Sequence, residues 1–311
     1  MTTMLDDLGG FTGELAALGA AAVWAVATVM YRRLGTAIPP LTLNLCKGVI
    51  ASPLLAAVVL LSPSAASSEG GGLGQWSAIG LLAISGAIGI GVGDTAFFAA
   101  LNRLRERRTI LVCETAAPPL AALLGVLWLG ELLSPWVVLG AAVTLAGVGW
   151  VVIERSPEVA IPRDVMLPGA AWAVVAAACQ AVGAVLSRQA LTESDIGPVA
   201  SALIRIVAGV AVLLIWMPLS RTPYLPPALR NRKAIRAVVI ATVLGTFLGL
   251  SLMQVSLKFT SAAVTQTLLA TSTLLVLPLL AAMGERITPR AIFGAVLAIA
   301  GVAVMMLAGA G

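Results

Sequence analysis

Histidine is absent from all 311 residues, which excludes histidine-based catalytic triads and histidine-ligated metal centres. Charge is scarce: 11% of residues are Asp, Glu, Lys or Arg, against about 25% in ordinary soluble domains. With 59% hydrophobic residues and a mean hydropathy of +1.03, such a chain does not fold as a water-soluble globule. Aromatics are few, at 5%, so the apolar mass is Ala, Leu, Val, Ile and Gly, a composition suited to helices packed closely in lipid. The three cysteines, Cys46, Cys113 and Cys179, all sit in apolar runs. Their odd number argues against a disulfide framework, and they read as small buried hydrophobes. No Walker-type phosphate loop occurs, so ATP hydrolysis is not expected, and no metal or other cofactor is expected either. The first eleven residues hold Asp6 and Asp7 and no Lys or Arg, so no secretory signal is read there.

What is present is a succession of apolar runs, each near the length of about 20 residues that crosses a bilayer as a helix. Ten are expected: Leu15–Tyr31, Leu41–Leu61, Trp76–Leu101, Thr109–Leu129, Trp136–Ile153, Leu167–Ser187, Val199–Leu219, Ala237–Leu257, Ala262–Met283 and Pro289–Ala308. Ser62–Gly74, Pro157–Asp164 and the basic Arg221–Lys233 are expected as loops. The formal charge of +5 does not point to nucleic acid, because the basic residues fall in short loops between the runs. Placing the first loop on one side gathers fifteen of the nineteen Lys and Arg residues there, including Arg32, Arg103, Arg108, Arg155, Arg232 and Arg286. Only Arg188 and Lys258 fall in loops on the other side. The basic side is therefore expected to be cytoplasmic, with both termini facing away from it.

The chain also repeats itself. Setting Glu131 on Glu285 brings Gly130 onto Gly284, Pro135 onto Pro289, Gly140 onto Gly294 and Gly147 onto Gly301. Earlier parts match more weakly, with Arg32 meeting Arg188. Two units are expected, residues 14–154 and 166–309, each of five spans. An odd number of spans makes the second unit enter the membrane in the opposite direction, so the expected fold is all-α, an integral membrane protein of ten helices in two inverted repeats.

Residues 100–152, with their Gly130-Glu131 pair, and residues 256–306, with Ser261-Ala262-Ala263 and Gly284-Glu285-Arg286, resemble the core of the EamA-like transporters of the drug/metabolite transporter superfamily. The resemblance covers essentially the whole chain. It implies secondary transport of small organic solutes such as amino acids, other metabolites or drugs, often outward, through a cavity walled by both halves. Where many members carry a leucine–proline pair in the fourth span, this chain reads Glu114-Thr115-Ala116-Ala117-Pro118-Pro119.

Four charges lie inside expected spans: Lys47, Asp94, Glu114 and Arg205. Each costs about 2.5–3.5 kcal/mol at a helix centre facing lipid, so each is expected to face protein or water. Asp94 and Glu114 flank the loop between the third and fourth spans at similar distances, which at 1.5 Å per residue puts them within about 3 Å of one depth. Lys47 lies at a comparable depth. Two readings stay open: a fixed ion pair joining helices, or a carboxyl that takes and releases protons or binds the solute. The second half offers Leu248 and Leu268 opposite these acids, together with the amides Gln180, Gln254 and Gln266. A charged wall facing an amide wall suits a polar or zwitterionic solute. Arg205 is a candidate to neutralise a carboxylate, or simply to snorkel or cap a helix. Trp24, mid-span and away from the interfacial belt, is a candidate to stack on the solute or merely packs. Glycine pairs Gly89/Gly93 and Gly245/Gly249, and the stripes Gly140/Gly147 and Gly294/Gly301, read as close helix contacts. Pro118-Pro119 and Pro278 are expected to kink the fourth and ninth spans.

Two alternatives belong to other classes. "GVGD" at Gly91–Asp94 matches the GxGD string of intramembrane aspartyl proteases, but that chemistry needs a second aspartate and Asp94 is the only one in any expected span. A non-transporting membrane sensor or subunit is separated from a carrier by solute uptake into vesicles. The expected partners are a small-molecule substrate, the lipid bilayer and protons, with no nucleic acid. Ala/Gly/Arg-rich usage is compatible with a bacterial cytoplasmic membrane.

Overall fold

Apolar runs rich in Ala and Leu, with no polar period to interrupt them, satisfy their backbone groups internally only as helices once water is absent. The computed structural model describes residues 10–35, 38–61, 73–154, 162–224, 229, 231–282 and 288–309, and the secondary structure it shows there is helical throughout. The expected loops Ser62–Gly74 and Pro157–Asp164 and the pair Gly284-Glu285 lie wholly or largely outside these residues. In chain order the helices are α1 (Thr12–Gly35), α2 (Pro40–Leu61), α3 (Leu73–Gly86), α4 (Asp94–Leu124), α5 (Pro135–Glu154) and α6 (Arg163–Thr192). They are followed by α7 (Pro198–Leu219), α8 (Arg232–Thr242), α9 (Gly249–Phe259), α10 (Ala262–Ala270), α11 (Ser272–Ala282) and α12 (Pro289–Gly309). A wider, π-helical winding joins α3 to α4 over Ala87–Gly93 and α8 to α9 over Val243–Leu248. The first segment holds Gly89 and Gly93, and the second holds Gly245 with Gly249 directly after it, so the duplication extends to an unusual backbone detail.

Among the described residues, nine stretches are long and apolar enough to cross a membrane. The tenth, Ala262–Val276, is shorter among the described residues; within the ninth span the helix is interrupted at Thr271 and continues through Pro278. There Thr271 turns its hydroxyl onto the Leu268 carbonyl at 2.6 Å, and its own carbonyl accepts from Leu274 N at 2.8 Å. A threonine side chain competing for a backbone carbonyl loosens a helix where a proline alone does not end it. The fourth span likewise stays helical through Pro118 and Pro119; its winding changes only at Gly125–Leu129.

Between the third and fourth spans, which run as separate stretches over Gln75–Leu104 and Arg108–Leu129, the expected loop is replaced by continuing helical turns. The chain nevertheless reverses between Leu104 and Arg108, as its neighbours on α6 show. Going down, Gly93 packs on Cys179, and Arg103 and Leu104 on Gly169. Going back up, Arg108 meets Met166, Cys113 meets Ala173 and Trp128 meets Gln189.

The halves interlock. Pairings α4–α6 and α5–α12 are the most extensive in the molecule. On α5 and α12 the expected glycine stripes face one another: a Cβ on Gly147 would lie 2.5 Å from the Ala298 nitrogen and the Gly294 carbonyl oxygen. A Cβ on Gly301 would lie 2.5 Å from Thr144 N. Only glycine permits that approach. The central core draws on both halves, with Ala20, Leu55 and Ile90 from one and Ala181, Met253 and Leu257 from the other.

Candidate functional site

Polar residues in the spans turn inward, and the charged ones, Lys47, Asp94, Glu114 and Arg205, reach one cavity of about 200 Å³ between the halves. Trp24, Lys47, Asp94 and Glu114 line it from the first half, and Gln180, Arg205 and Gln266 from the second. Gln254 stands one step behind, bound to Arg205. Tyr31, Leu101 and Ile110 carry the cavity toward the face bearing the basic loops.

The charges divide unequally. Lys47 Nζ donates to Asp94 Oδ2 at 2.5 Å and lies 5.5 Å from the centre of the Phe98 ring. Asp94 begins α4 directly after the π segment, so the wider winding sets the direction in which its carboxylate leaves the helix. Arg205, 1% exposed, donates from Nη1 to Gln254 Oε1 at 2.7 Å, while its buried Nε has no partner. Gln254 in turn donates to Ser201. Arg205 therefore neither snorkels nor caps a helix. Glu114 lines the cavity and makes no hydrogen bond or ion pair among the described residues. Of the three first-half charges expected at one level, two are paired and the third stands alone.

The two π segments beside the cavity are held by side chains from other helices. Trp24 Nε1 donates to Gly245 O at 2.6 Å, and Asn44 Nδ2 donates to Ile90 O at 2.8 Å. The wide winding leaves carbonyls without their usual helical donors, and these side chains supply them. Gly249 lies under the indole, where any Cβ would overlap the ring. Gln266 Nε2 donates to the Gln180 carbonyl at 3.2 Å, joining α10 to α6 beside the cavity.

At the opposite face the halves are tied together. Gly130 adopts φ 65°, a left-handed turn that favours glycine, and thereby brings Glu131 back toward α6. Arg188 Nε donates to Glu131 Oε1 at 3.0 Å, and its Nη1 donates to the carbonyls of Leu257 and Lys258 at 2.9 and 2.8 Å. One guanidinium thus joins the fourth, sixth and eighth spans. Trp128 Nε1 adds a bond to Gln189 at 2.9 Å.

The model of the EamA-like transporter family matches residues 11–153 and again residues 167–307. The chain belongs to the EamA-like transporter family. A solved crystal structure 20% identical to this EamA-like transporter aligns with TM-score 0.76 over 95% of this chain and 96% of its own, a likeness that concerns the fold. No curated protein is significantly similar to it in sequence. It is an integral membrane transporter built from two EamA repeats.

Several cavity residues of this transporter escape a search for charges and amides in spans. Tyr31 reaches Thr246 Oγ1 at 3.3 Å, and Phe97 and Phe98 meet edge to face with centroids 5.8 Å apart. Asn44 was legible as a polar residue in an apolar run. Its role was not, because that depends on a carbonyl freed by a change of winding in another helix.

Proposed function

We propose that this chain is a secondary carrier that binds a small polar or amphipathic organic solute in the central cavity and moves it by alternating access, outward in the direction the family resemblance favours. The observation that carries this reading is the gathering of Lys47, Asp94, Glu114 and Arg205, contributed by both repeats, around one cavity at their seam. Charges that are costly in lipid persist where they meet solute or water. In this reading Lys47, Asp94 and Glu114 set the charge that the solute meets, Arg205 holds the cavity wall through Gln254, Gln180 and Gln266 offer amide contacts, and Trp24 supplies an aromatic wall. The cavity reaches toward the basic, cytoplasmic face, while Glu131 and Arg188 close the other, so the conformation corresponds to a carrier loaded from the cytoplasm of a bacterial cell.

A panel of amino acids, organic acids and amines offered to proteoliposomes, with and without a pH gradient, tests the proposal. Saturable uptake of at least one class is expected, and uptake equal to that of empty liposomes for every class would remove the carrier reading. Proton coupling is a separate part of it. Asp94→Asn combined with Glu114→Gln is expected to abolish the response to the gradient, and an unchanged response sinks the coupling.

A further inference from the structure

Glu114 is distinguished by what it lacks. Every other charged side chain at the cavity has a partner: Lys47 and Asp94 each other, and Arg205 the Gln254 amide. Glu114 alone presents a carboxylate with no hydrogen bond or ion pair among the described residues. Its helix supplies none, since the cavity residues beside it are its neighbour Cys113 and, one turn either side, Ile110 and Ala117.

The second observation is aromatic. The chain has fifteen aromatic residues, seven Trp, two Tyr and six Phe, yet Trp24, Tyr31, Phe97 and Phe98 all line this one cavity. Ring faces attract ammonium groups through their quadrupole. The cavity already shows this, with the Lys47 ammonium 5.5 Å from the Phe98 centroid. Arg205 does not offer a competing open cationic site, being 1% exposed and bound to Gln254.

Resting on the carrier reading above, we infer that Glu114 is the solute-recognition carboxylate of the cavity, taking the ammonium group of an aromatic or apolar amine and exchanging it for a proton. One carboxylate accepts either a proton or an organic ammonium as its counter-ion and not both at once. Occupancy by the amine therefore displaces the proton, and acid displaces the amine. Asp94 does not serve in this way, because Lys47 already occupies it.

Two probes of similar size and opposite charge test the inference: phenethylammonium and 3-phenylpropionate, titrated against the full chain in nanodiscs by calorimetry. The ammonium is expected to bind and the carboxylate not. Its apparent Kd is expected to rise on acidification, approaching about tenfold per pH unit, the slope of competition by a single proton. Glu114→Gln is expected to weaken ammonium binding at least tenfold and to flatten its pH dependence, while Glu114→Asp retains the slope. Asp94→Asn keeps the slope whatever it does to affinity. Thermal melting of each variant separates lost binding from lost folding. The inference is overturned by a pH slope that survives Glu114→Gln or vanishes only with Asp94→Asn. It is equally overturned if wild-type protein that melts normally fails to bind the ammonium. Binding of 3-phenylpropionate in its place also overturns it, but leaves the carrier reading intact.

Discussion

At the residue scale the cavity is governed by how each charge is compensated. Lys47 and Asp94 lie on different helices with side chains only 10% and 20% exposed, so removing one partner strands the other. Breaking a buried pair from one side costs about 3 kcal/mol or more, whereas removing both charges is often nearly neutral. Lys47→Met is therefore expected to lower the melting temperature in nanodiscs, and Lys47→Met with Asp94→Asn to recover most of the loss. A double variant as unstable as the single would mean that Asp94 is not held by Lys47. Asn44 works on a smaller scale. Its bond to the Ile90 carbonyl is worth about 1 kcal/mol when lost, and Asn44→Leu should show a decrease of that order in denaturant titration. A larger decrease would indicate that the π segment itself collapses.

At the element scale two backbone devices recur in both halves: a π-wound segment beside the cavity and a glycine stripe at the α5–α12 seam. Sequence made the stripes readable, since Gly140/Gly147 and Gly294/Gly301 repeat at matched spacing. It did not make the π segments readable, because the same glycine pairs fit an ordinary helix equally well. The stripe supports a sharp comparison on α5. A methyl added at Gly147 meets Gly294 and Ala298 backbone or side-chain atoms at 2.5–2.8 Å, whereas one added at Gly149 finds only side-chain carbons at 3.8–3.9 Å. Overpacking costs about 1–3 kcal/mol, so Gly147→Ala is expected to destabilise by that amount and Gly149→Ala by almost nothing. Equal melting temperatures for the two would show that α5 and α12 do not meet along this face. Pro118, Pro119 and Pro278 all lie inside helices, and the ninth span is interrupted at Thr271, beside a local hydroxyl–carbonyl bond.

At the scale of the whole molecule, alternating access requires that closure at one face be breakable. Arg188 concentrates that closure, touching Glu131, Leu257 and Lys258 at once. Glu131→Gln keeps the shape and removes the charge, so the face opposite the basic loops should open more often. In a background with the native cysteines replaced by alanine, a cysteine introduced at Ala262, which is 0% exposed, reports this opening. Its labelling by a membrane-impermeant maleimide is expected to quicken several-fold in Glu131→Gln, and an unchanged rate would show that the ion pair does not hold this face. The inverted arrangement has its own check. A cysteine at Thr3 should be labelled from outside intact cells and one at Glu158 should not, since five spans separate them.

Length, hydropathy and duplication follow from the sequence alone, because in lipid the backbone must satisfy itself and an apolar run of sufficient length has few options besides a helix. The scarcity of charge also nominated Lys47, Asp94, Glu114 and Arg205, since a charge within a span is costly enough to require a reason. Which acid Lys47 takes, that Glu114 is left over, and that Arg188 spans three elements were decided by tertiary structure. Those outcomes depend on helix rotation, on π winding and on a left-handed glycine at position 130. Each is a matter of a few ångströms among residues distant in the chain, and hydropathy carries no information about them.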